Sequence, residues 1–292
     1  MTERITRPCV LVFAGHDPSG GAGIQADIEA IAAQGAHALP IITALTVQDN
    51  NQVRAVYPVD TRILFEQFET LLAQVPIAAV KVGIVGSREN AELIAECVAR
   101  LRNISPSIAV IVDPVLASGR GDALAIHDAV LAVQAVLHCA SLITPNLPEL
   151  LRLTGNTQSG NEQSAREQLW STRSDEARMR DLCQQFSCDI LLKGGHAHGD
   201  EVCNRWLQWP ADENSTSSMK SWNWPRLAGE FHGSGCTLAA AIAGQFACGH
   251  RAEVSLMNAQ NYTQCSLKNA YQIAAGQSIP WRSMYSIEKD FL

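Results

Sequence analysis

Apolar positions along this chain fall into two alternating spacings. Short unbroken runs read as strands buried on both faces: Val10 to Phe13, Leu39 to Thr43, Ala78 to Ile84, Ile108 to Val112, Ser141 to Thr144 and Ile190 to Lys193. Between them, apolar residues recur at intervals of three and four. Ile24, Ile28, Ile31 and Ala32 make one stripe; Ile63, Phe65, Phe68, Leu71 and Leu72 a second; Leu93, Ile94, Cys97, Val98 and Leu101 a third; Val130 through Leu137 a fourth. Each stripe predicts a helix with one buried face. Strand then helix, repeated, predicts an α/β fold: a mostly parallel central sheet with helices on both faces. The polar stretch from Asn156 to Arg180 predicts a surface loop and then a helix ending near Phe186. Glu201 to Trp209 and Met219 to Trp224 predict a hairpin around the Pro210–Ser218 loop. A last long helix is expected from Glu253 to Ala275, with Gly276 as its stop. No linker interrupts the alternation, so a single domain over 1–292 is expected.

Composition narrows the function classes. Of 292 residues, 47% are apolar, enough for a large core. The net charge is −7 and no run of Lys or Arg stands out, which argues against a nucleic-acid or anionic-membrane surface. The opening Met1 to Pro8 lacks the apolar stretch of a signal peptide, and no segment reaches the roughly 20 apolar residues of a membrane span. The nine cysteines include no C-x-x-C pair, and Cys9, Cys97, Cys139 and Cys248 lie in apolar surroundings. Free thiols in a reducing compartment follow, and a cytoplasmic location is expected.

Two glycine-rich turns carry the chemistry. Gly15-His16-Asp17-Pro18-Ser19-Gly20-Gly21-Ala22-Gly23 follows the first strand, and Gly233-Ser234-Gly235-Cys236-Thr237 opens a later helix. Helix starts fed by glycines expose unpaired N–H groups and the positive end of the helix dipole, where proteins hold phosphate. The N–H groups of Gly233, Ser234, Gly235 and Cys236 are suited to an anion hole. Cys236 among them is placed to take a hydroxyl proton, and its position favours a thiolate. The alternative for this turn is a helix cap holding a small buried residue. The first turn has neither the G-x-G-x-x-G spacing of a dinucleotide site nor the Gly-Lys-Ser/Thr of a P-loop. Asp17 and Asp27 beside it suit a neutral, hydrogen-bonding heterocycle better than a second phosphate; for Asp27 the alternative is a solvated helix residue.

Further candidates follow strand ends. Asp113-Pro114-Val115 and Thr144-Pro145-Asn146-Leu147-Pro148-Glu149 both stand where open α/β sheets bind ligands. Asp113 and Glu149 are candidates to hold Mg²⁺ through oxygen or water. Their alternatives are turn chemistry and a first-turn helix carboxylate. Lys193, ending a strand before Gly194 and Gly195, is placed to lean over phosphate. His196, His198 and Cys203 lack a fourth metal ligand and are read as solvated.

Taken together these segments resemble the ribokinase-like superfamily, and within it the hydroxymethylpyrimidine/phosphomethylpyrimidine kinases of thiamine biosynthesis. The likeness covers most of the chain. It rests on Ala14 through Asp27, Ile42-Thr43-Ala44-Leu45-Thr46-Val47-Gln48, Lys81-Val82-Gly83-Ile84, Asp113-Pro114-Val115, Ile143 through Glu149, Lys193-Gly194-Gly195-His196 and Gly233 through Thr237. It implies a ribokinase-like three-layer sandwich that binds Mg-ATP and phosphorylates a pyrimidine alcohol and then its monophosphate. It implies that Gly15, Asp17, Asp27, Gln48 and Ile84 line the pyrimidine pocket. Asn146, Lys193 and Gly195 would serve the nucleotide, and Cys236 would stand where other members carry an Asp base. A homodimer is implied as well. Members usually continue after Asp-Pro-Val with a small residue and Lys-Ser-Gly-Asp; this chain reads Leu116-Ala117-Ser118-Gly119-Arg120-Gly121-Asp122, with Arg120 in place of the Lys charge. Two other readings stay open: a pyridoxal or pyridoxine kinase, and a non-catalytic relative that binds a pyrimidine or nucleotide.

Overall fold

The computed structural model describes residues 6–116, 129–155, 173–196, 199–210 and 217–283. Contacts divide the chain into two compact units, 1–139 with 227–292, and 140–226.

The larger unit is built on five strands: β1 (Cys9–His16), β2 (His37–Gln48), β3 (Val53–Pro58), β4 (Ile77–Val82) and β5 (Ala109–Val112). Their order is β3-β2-β1-β4-β5. β2, β1, β4 and β5 are parallel, while β3 returns antiparallel along β2. β1, β4 and β5 are buried on both faces over most of their length, as unbroken apolar runs require, and Val10 through Phe13 expose nothing; β2 exposes His37, Pro40, Leu45 and Val47.

The predicted stripes become α1 (Gly23–Ala33), α2 (Thr61–Leu72), α3 (Arg88–Ile104) and α4 (Ala129–Leu137). Asp60 and Ser87 cap α2 and α3, accepting from the N–H groups of Arg62 and Asn90. Near the C-terminus lie α7 (Ser234–Ala247) and α8 (Ala252–Lys268). Helix α7 packs on α1, β4 and β5, and α8 packs on α7, while α2, α3 and α4 form a second helical group. Seven of the fourteen α7 residues are Ala or Gly, so the helix approaches the strands closely.

The smaller unit holds β6 (Leu142–Ile143), β7 (Asp189–Leu192), β8 (Glu201–Leu207) and β9 (Met219–Pro225), in that order, with α5 (Leu147–Gly155) and α6 (Asp175–Phe186). β8 and β9 are the predicted hairpin. Helix α6 ends at Phe186 as the stripe predicts.

Three expectations change. β3 is an added strand. The last helix ends at Lys268 instead of Ala275, because Tyr271 turns back to exchange backbone hydrogen bonds with Ile279. Gly276 therefore lies in a loop, at φ +113°. Most of the 156–180 stretch, the tip of the Pro210–Ser218 loop, Arg120 with its neighbours, and His198 lie outside the described residues. None of the nine cysteines is in a disulfide. Among the described residues no helix is long and apolar enough to cross a membrane.

Candidate active site

The first glycine turn is folded around Asp17. Its carboxylate accepts from the Ser19 and Ala22 N–H groups, each at 2.8 Å, and Oδ2 lies 2.7 Å from His232 Nε2. Burial raises the Asp17 pKa, but the bonds from His232 and Ser19 outweigh it and hold the carboxyl below its ordinary range. Asp17 is buried. Its observed work is therefore to shape the turn, with no carboxylate edge turned outward as the sequence suggested. Gly23 adopts φ +57°, and a Cβ there would stand 2.3 Å from the Gly15 carbonyl oxygen.

The second turn closes on the first. Gly233 is the N-cap of α7 at φ +79°, and a Cβ on it would lie 2.0 Å from the Gly21 carbonyl oxygen. A Cβ on Gly21 would meet the His232 ring at 2.2 Å. Glycine at 233 lets the two backbones touch, and glycine at 21 leaves room for the His232 ring. The first intrahelical bond of α7 runs from Thr237 N–H to Gly233 O at 2.9 Å. The N–H groups of Ser234, Gly235 and Cys236 precede it, and no side chain caps the helix. Helix α1 also lacks a side-chain cap. Two uncapped helix starts meeting at their glycines fit an anion.

Cys236 faces a buried cluster of charges. Lys81, Asp113 and Asp27 act on its sulfur electrostatically, and the Gly23 backbone N–H favours the ionised form. Burial pushes the thiol up to about 11, with Lys81 pulling it back only in part. This corrects the expectation of a thiolate: burial is the largest influence on the sulfur, and it raises the thiol.

Lys81 is the residue the sequence reading left out of the site. Its ammonium lies 2.8 Å from Asp27 Oδ2, and both side chains are fully buried. Burial lowers the lysine's pKa, but Asp27, Cys236 and Asp113 together hold it above the ordinary value. Asp27 Oδ1 has no hydrogen-bond partner. Asp27 is thus a core ion-pair member, contrary to the solvated alternative. Gly83 makes room for the lysine, since a Cβ there would lie 2.7 Å from Nζ. The Lys81-Val82-Gly83 spacing was the available signal: a lysine inside an apolar strand needs a buried partner.

The remaining candidates separate by unit. In the larger unit, Gly15 lies beside Ile84 and Ala44, and Asp113 is buried after β5. Gln48 is half-buried at the end of β2, opposite Val53. In the smaller unit, Asn146 and Glu149 cap α5 reciprocally: Asn146 N–H donates to Glu149 Oε2 at 2.7 Å, and Glu149 N–H to Asn146 Oδ1 at 2.9 Å. Lys193 Nζ lies 3.8 Å from Glu149 Oε2. A Cβ on Gly195 would meet nothing within 4 Å, so the backbone there is open to a ligand. Among the described residues no three His, Cys, Asp or Glu side chains gather as a metal site.

The fold is that of the vitamin kinases with a ribokinase-like architecture. Pyridoxal kinase from Staphylococcus aureus in complex with pyridoxal superposes with a TM-score of 0.77 at 22% identity, covering 96% of this chain and 95% of that one. Phosphomethylpyrimidine kinase from Clostridium difficile does so at 0.66 and 27%, covering 88% and 98%. The sequence profile of the family described as phosphomethylpyrimidine kinase matches residues 17–281, and the chain belongs to that family. A hydroxymethylpyrimidine/phosphomethylpyrimidine kinase of Rhizobium meliloti is 33% identical over 91% of this chain and 93% of its own length. The Streptomyces coelicolor kinase of the same name is 32% identical over 94% of each. The chain spans only 34% of a multifunctional thiamine biosynthesis protein of Corynebacterium efficiens, at 32% identity.

Proposed function

We propose that the chain phosphorylates the hydroxymethyl group of 4-amino-5-hydroxymethyl-2-methylpyrimidine with Mg-ATP, and then phosphorylates the monophosphate. The observation that carries this reading is the meeting of two uncapped glycine turns with the Cys236 sulfur between them. The names of the full-length relatives support both steps. The family profile runs through both units, which supports one kinase domain.

Mg-ATP supplies the phosphoryl group and a cation that spreads its charge. The Ser234, Gly235 and Cys236 N–H groups stabilise the negative charge of the group in flight. The alcohol oxygen bonds to the γ-phosphorus, the bond to the ADP oxygen breaks, and the hydroxyl proton passes to the ionised Cys236 sulfur. In a loose phosphoryl-transfer transition state the alcohol keeps its proton until late, so a small ionised fraction of a strongly basic thiol suffices. Lys81 and the Gly23 N–H favour that ionised form. Gly15, Gln48 and Ile84 line the pyrimidine pocket, the Gln48 amide matching the donor and acceptor edge of an aminopyrimidine. Asp17 and Asp27 hold that pocket's walls from behind. Asn146, Lys193 and Gly195 of the smaller unit are assigned to the nucleotide; Asp113 in the larger unit and Glu149 in the smaller are each a candidate that would hold Mg²⁺ through oxygen or water. We place the enzyme in the cytoplasm, as nine cysteines outside any disulfide suit. A homodimer is the proposed assembly; Leu45, Val47 and Tyr57, exposed along β2 and β3, offer an apolar surface for it.

ADP release with the pyrimidine alcohol, beside the same assay with pyridoxal, tests the substrate. A tenfold preference for pyridoxal overturns it, and ligand binding without ADP release leaves a sensor. Cys236→Ala retains ATP binding and loses roughly 10²-fold or more in turnover. Unchanged turnover in that variant removes Cys236 from its role.

A further inference from the structure

The segment after α8 runs past each working part of the larger unit. Asn51 Nδ2 donates to Ala275 O at 2.8 Å and Asn50 Nδ2 to Gln277 O at 3.1 Å, just beyond Gln48. His232 N–H donates to Ser278 O, and Ser278 N–H to Glu230 O, each at 2.9 Å. The segment then delivers Arg282 into the protein, where its side chain is fully buried. Arg282 Nε donates to Thr237 Oγ1 at 2.8 Å, one guanidinium nitrogen lies 3.2 Å from Glu29 Oε2, and the other donates to the Gly21 carbonyl. Thr237 Oγ1 in turn donates to Gly233 O at 2.8 Å. The Tyr262 hydroxyl donates to the Arg282 carbonyl at 2.9 Å.

We infer that Arg282 is a positioning residue for phosphoryl transfer: its guanidinium fastens the first glycine turn to the first turn of α7, fixing Cys236 and the three N–H donors against Gly21–Gly23. The inference rests on the kinase reading above. Its physical basis is the shape of the group. A planar fork with fixed donors reaches a carbonyl, a hydroxyl and a carboxylate at once, whereas a lysine ammonium is a single point. Neither α1 nor α7 has a side-chain cap to set its start. Thr237 directly follows Cys236, so the clamp acts one residue from the sulfur. Arg282 also lies one residue past the stretch that the family profile matches.

The test uses the full chain with Arg282→Lys, Arg282→Ala and Thr237→Val. Displacing a reacting group by about 1 Å costs on the order of 10²-fold. Arg282→Lys is therefore expected to lose about 10- to 100-fold in kcat while KM for the alcohol stays within about threefold. Thr237→Val loses less in the same direction. Guanidinium ion, but not ammonium, restores turnover to Arg282→Ala. Alkylation of Cys236 at pH 8, followed by mass spectrometry of its peptide, speeds up at least about threefold in each variant as the sulfur loses its fixed place. Full kcat in Arg282→Lys overturns the inference. So does a loss of kcat, KM and melting temperature in proportion without guanidinium recovery, which marks a structural residue only. Unchanged alkylation in all variants overturns it too. If Arg282→Ala does not fold, Arg282→Lys and Thr237→Val decide. Should the wild-type protein phosphorylate no pyrimidine alcohol, the kinase reading falls, while alkylation still reports on the clamp.

Discussion

Replacing Lys81 with Met isolates a charge that has nowhere to go. Nζ and Asp27 Oδ2 are 2.8 Å apart with both side chains fully buried. At an effective dielectric constant near 20, that separation gives an attraction of about 6 kcal/mol, which offsets a desolvation cost of several kcal/mol per ion. In Lys81→Met the cost remains and the attraction is gone. Asp27 cannot recruit another donor, since Oδ1 already lacks one. Its escape is to bind a proton. From a reference pKa of about 3.9, holding a neutral carboxyl at pH 7 costs 1.36 kcal/mol for each of roughly three units, or about 4 kcal/mol. That value caps the loss and agrees with the 3–5 kcal/mol typical of a broken buried pair. The sign follows from linkage. Burial already raises the folded Asp27 pKa in the wild type, and without Lys81 it lies higher still, so the loss relative to wild type is absent in acid and grows by at most about 1.4 kcal/mol per unit as pH rises. At pH 5 it is at most about 1.5 kcal/mol. Urea-unfolding midpoints at pH 5, 6 and 7 measure it, with Lys81→Met/Asp27→Asn as the control that restores most of the loss and flattens the pH dependence. A loss below about 1 kcal/mol at pH 7, or one that does not change with pH, refutes the reasoning.

Iodoacetamide labelling of Cys236 is slow at neutral pH and rises toward a half-point near 11, as burial of the thiol requires; a half-point below 8 contradicts it. On the kinase reading, kcat/KM rises about tenfold per pH unit between 7 and 9, while Cys236→Asp, already ionised there, is flat. A flat wild-type profile removes thiol ionisation from the rate. Gly233→Ala combines a left-handed backbone with a Cβ 2.0 Å from the Gly21 oxygen, and is expected to cost at least about 2 kcal/mol in unfolding free energy; a wild-type midpoint overturns the fit of the two turns. Asp17→Ala loses the acceptors of Ser19 and Ala22 N–H, about 2 kcal/mol at pH 7. Because the Asp17 pKa is lowered in the folded state, its contribution is present above the unfolded value and fades as pH falls through the folded one. Wild type and variant should converge in acid titrations below about pH 4, and a constant gap argues against the assigned charge.

The parallel strands were legible because double-sided burial leaves an unbroken apolar run, as Val10 to Phe13 show. β3 was not, since an antiparallel edge strand half open to water mixes polar and apolar residues. The two glycine turns were legible as turns, but nothing in either alone shows that Gly233 abuts Gly21. Nor does either show the surroundings of Cys236: a helix start read by itself favours a thiolate, while burial near Lys81, Asp113 and Asp27 raises the thiol. The carboxylates were seen as ligand contacts, whereas both Asp17 oxygens accept from N–H groups of its own loop and Glu149 Oε2 accepts from Asn146 N–H. Lys81, read only as part of a motif, and Arg282 were given no role for a shared reason. A single cation in an apolar context announces a partner without saying which one, and Asp27 and Thr237 stand 54 and 45 positions away.

The larger unit is assembled from sequence on both sides of residues 140–226. A ribosome therefore finishes β1, β4 and β5 long before it makes α7, the helix that covers them. From residue 139 to residue 247 the delay is roughly 5 to 20 s at common translation speeds. Through that interval a nascent chain lacks the helix that packs on an apolar sheet face, which leaves it, and any product truncated in this window, prone to aggregate.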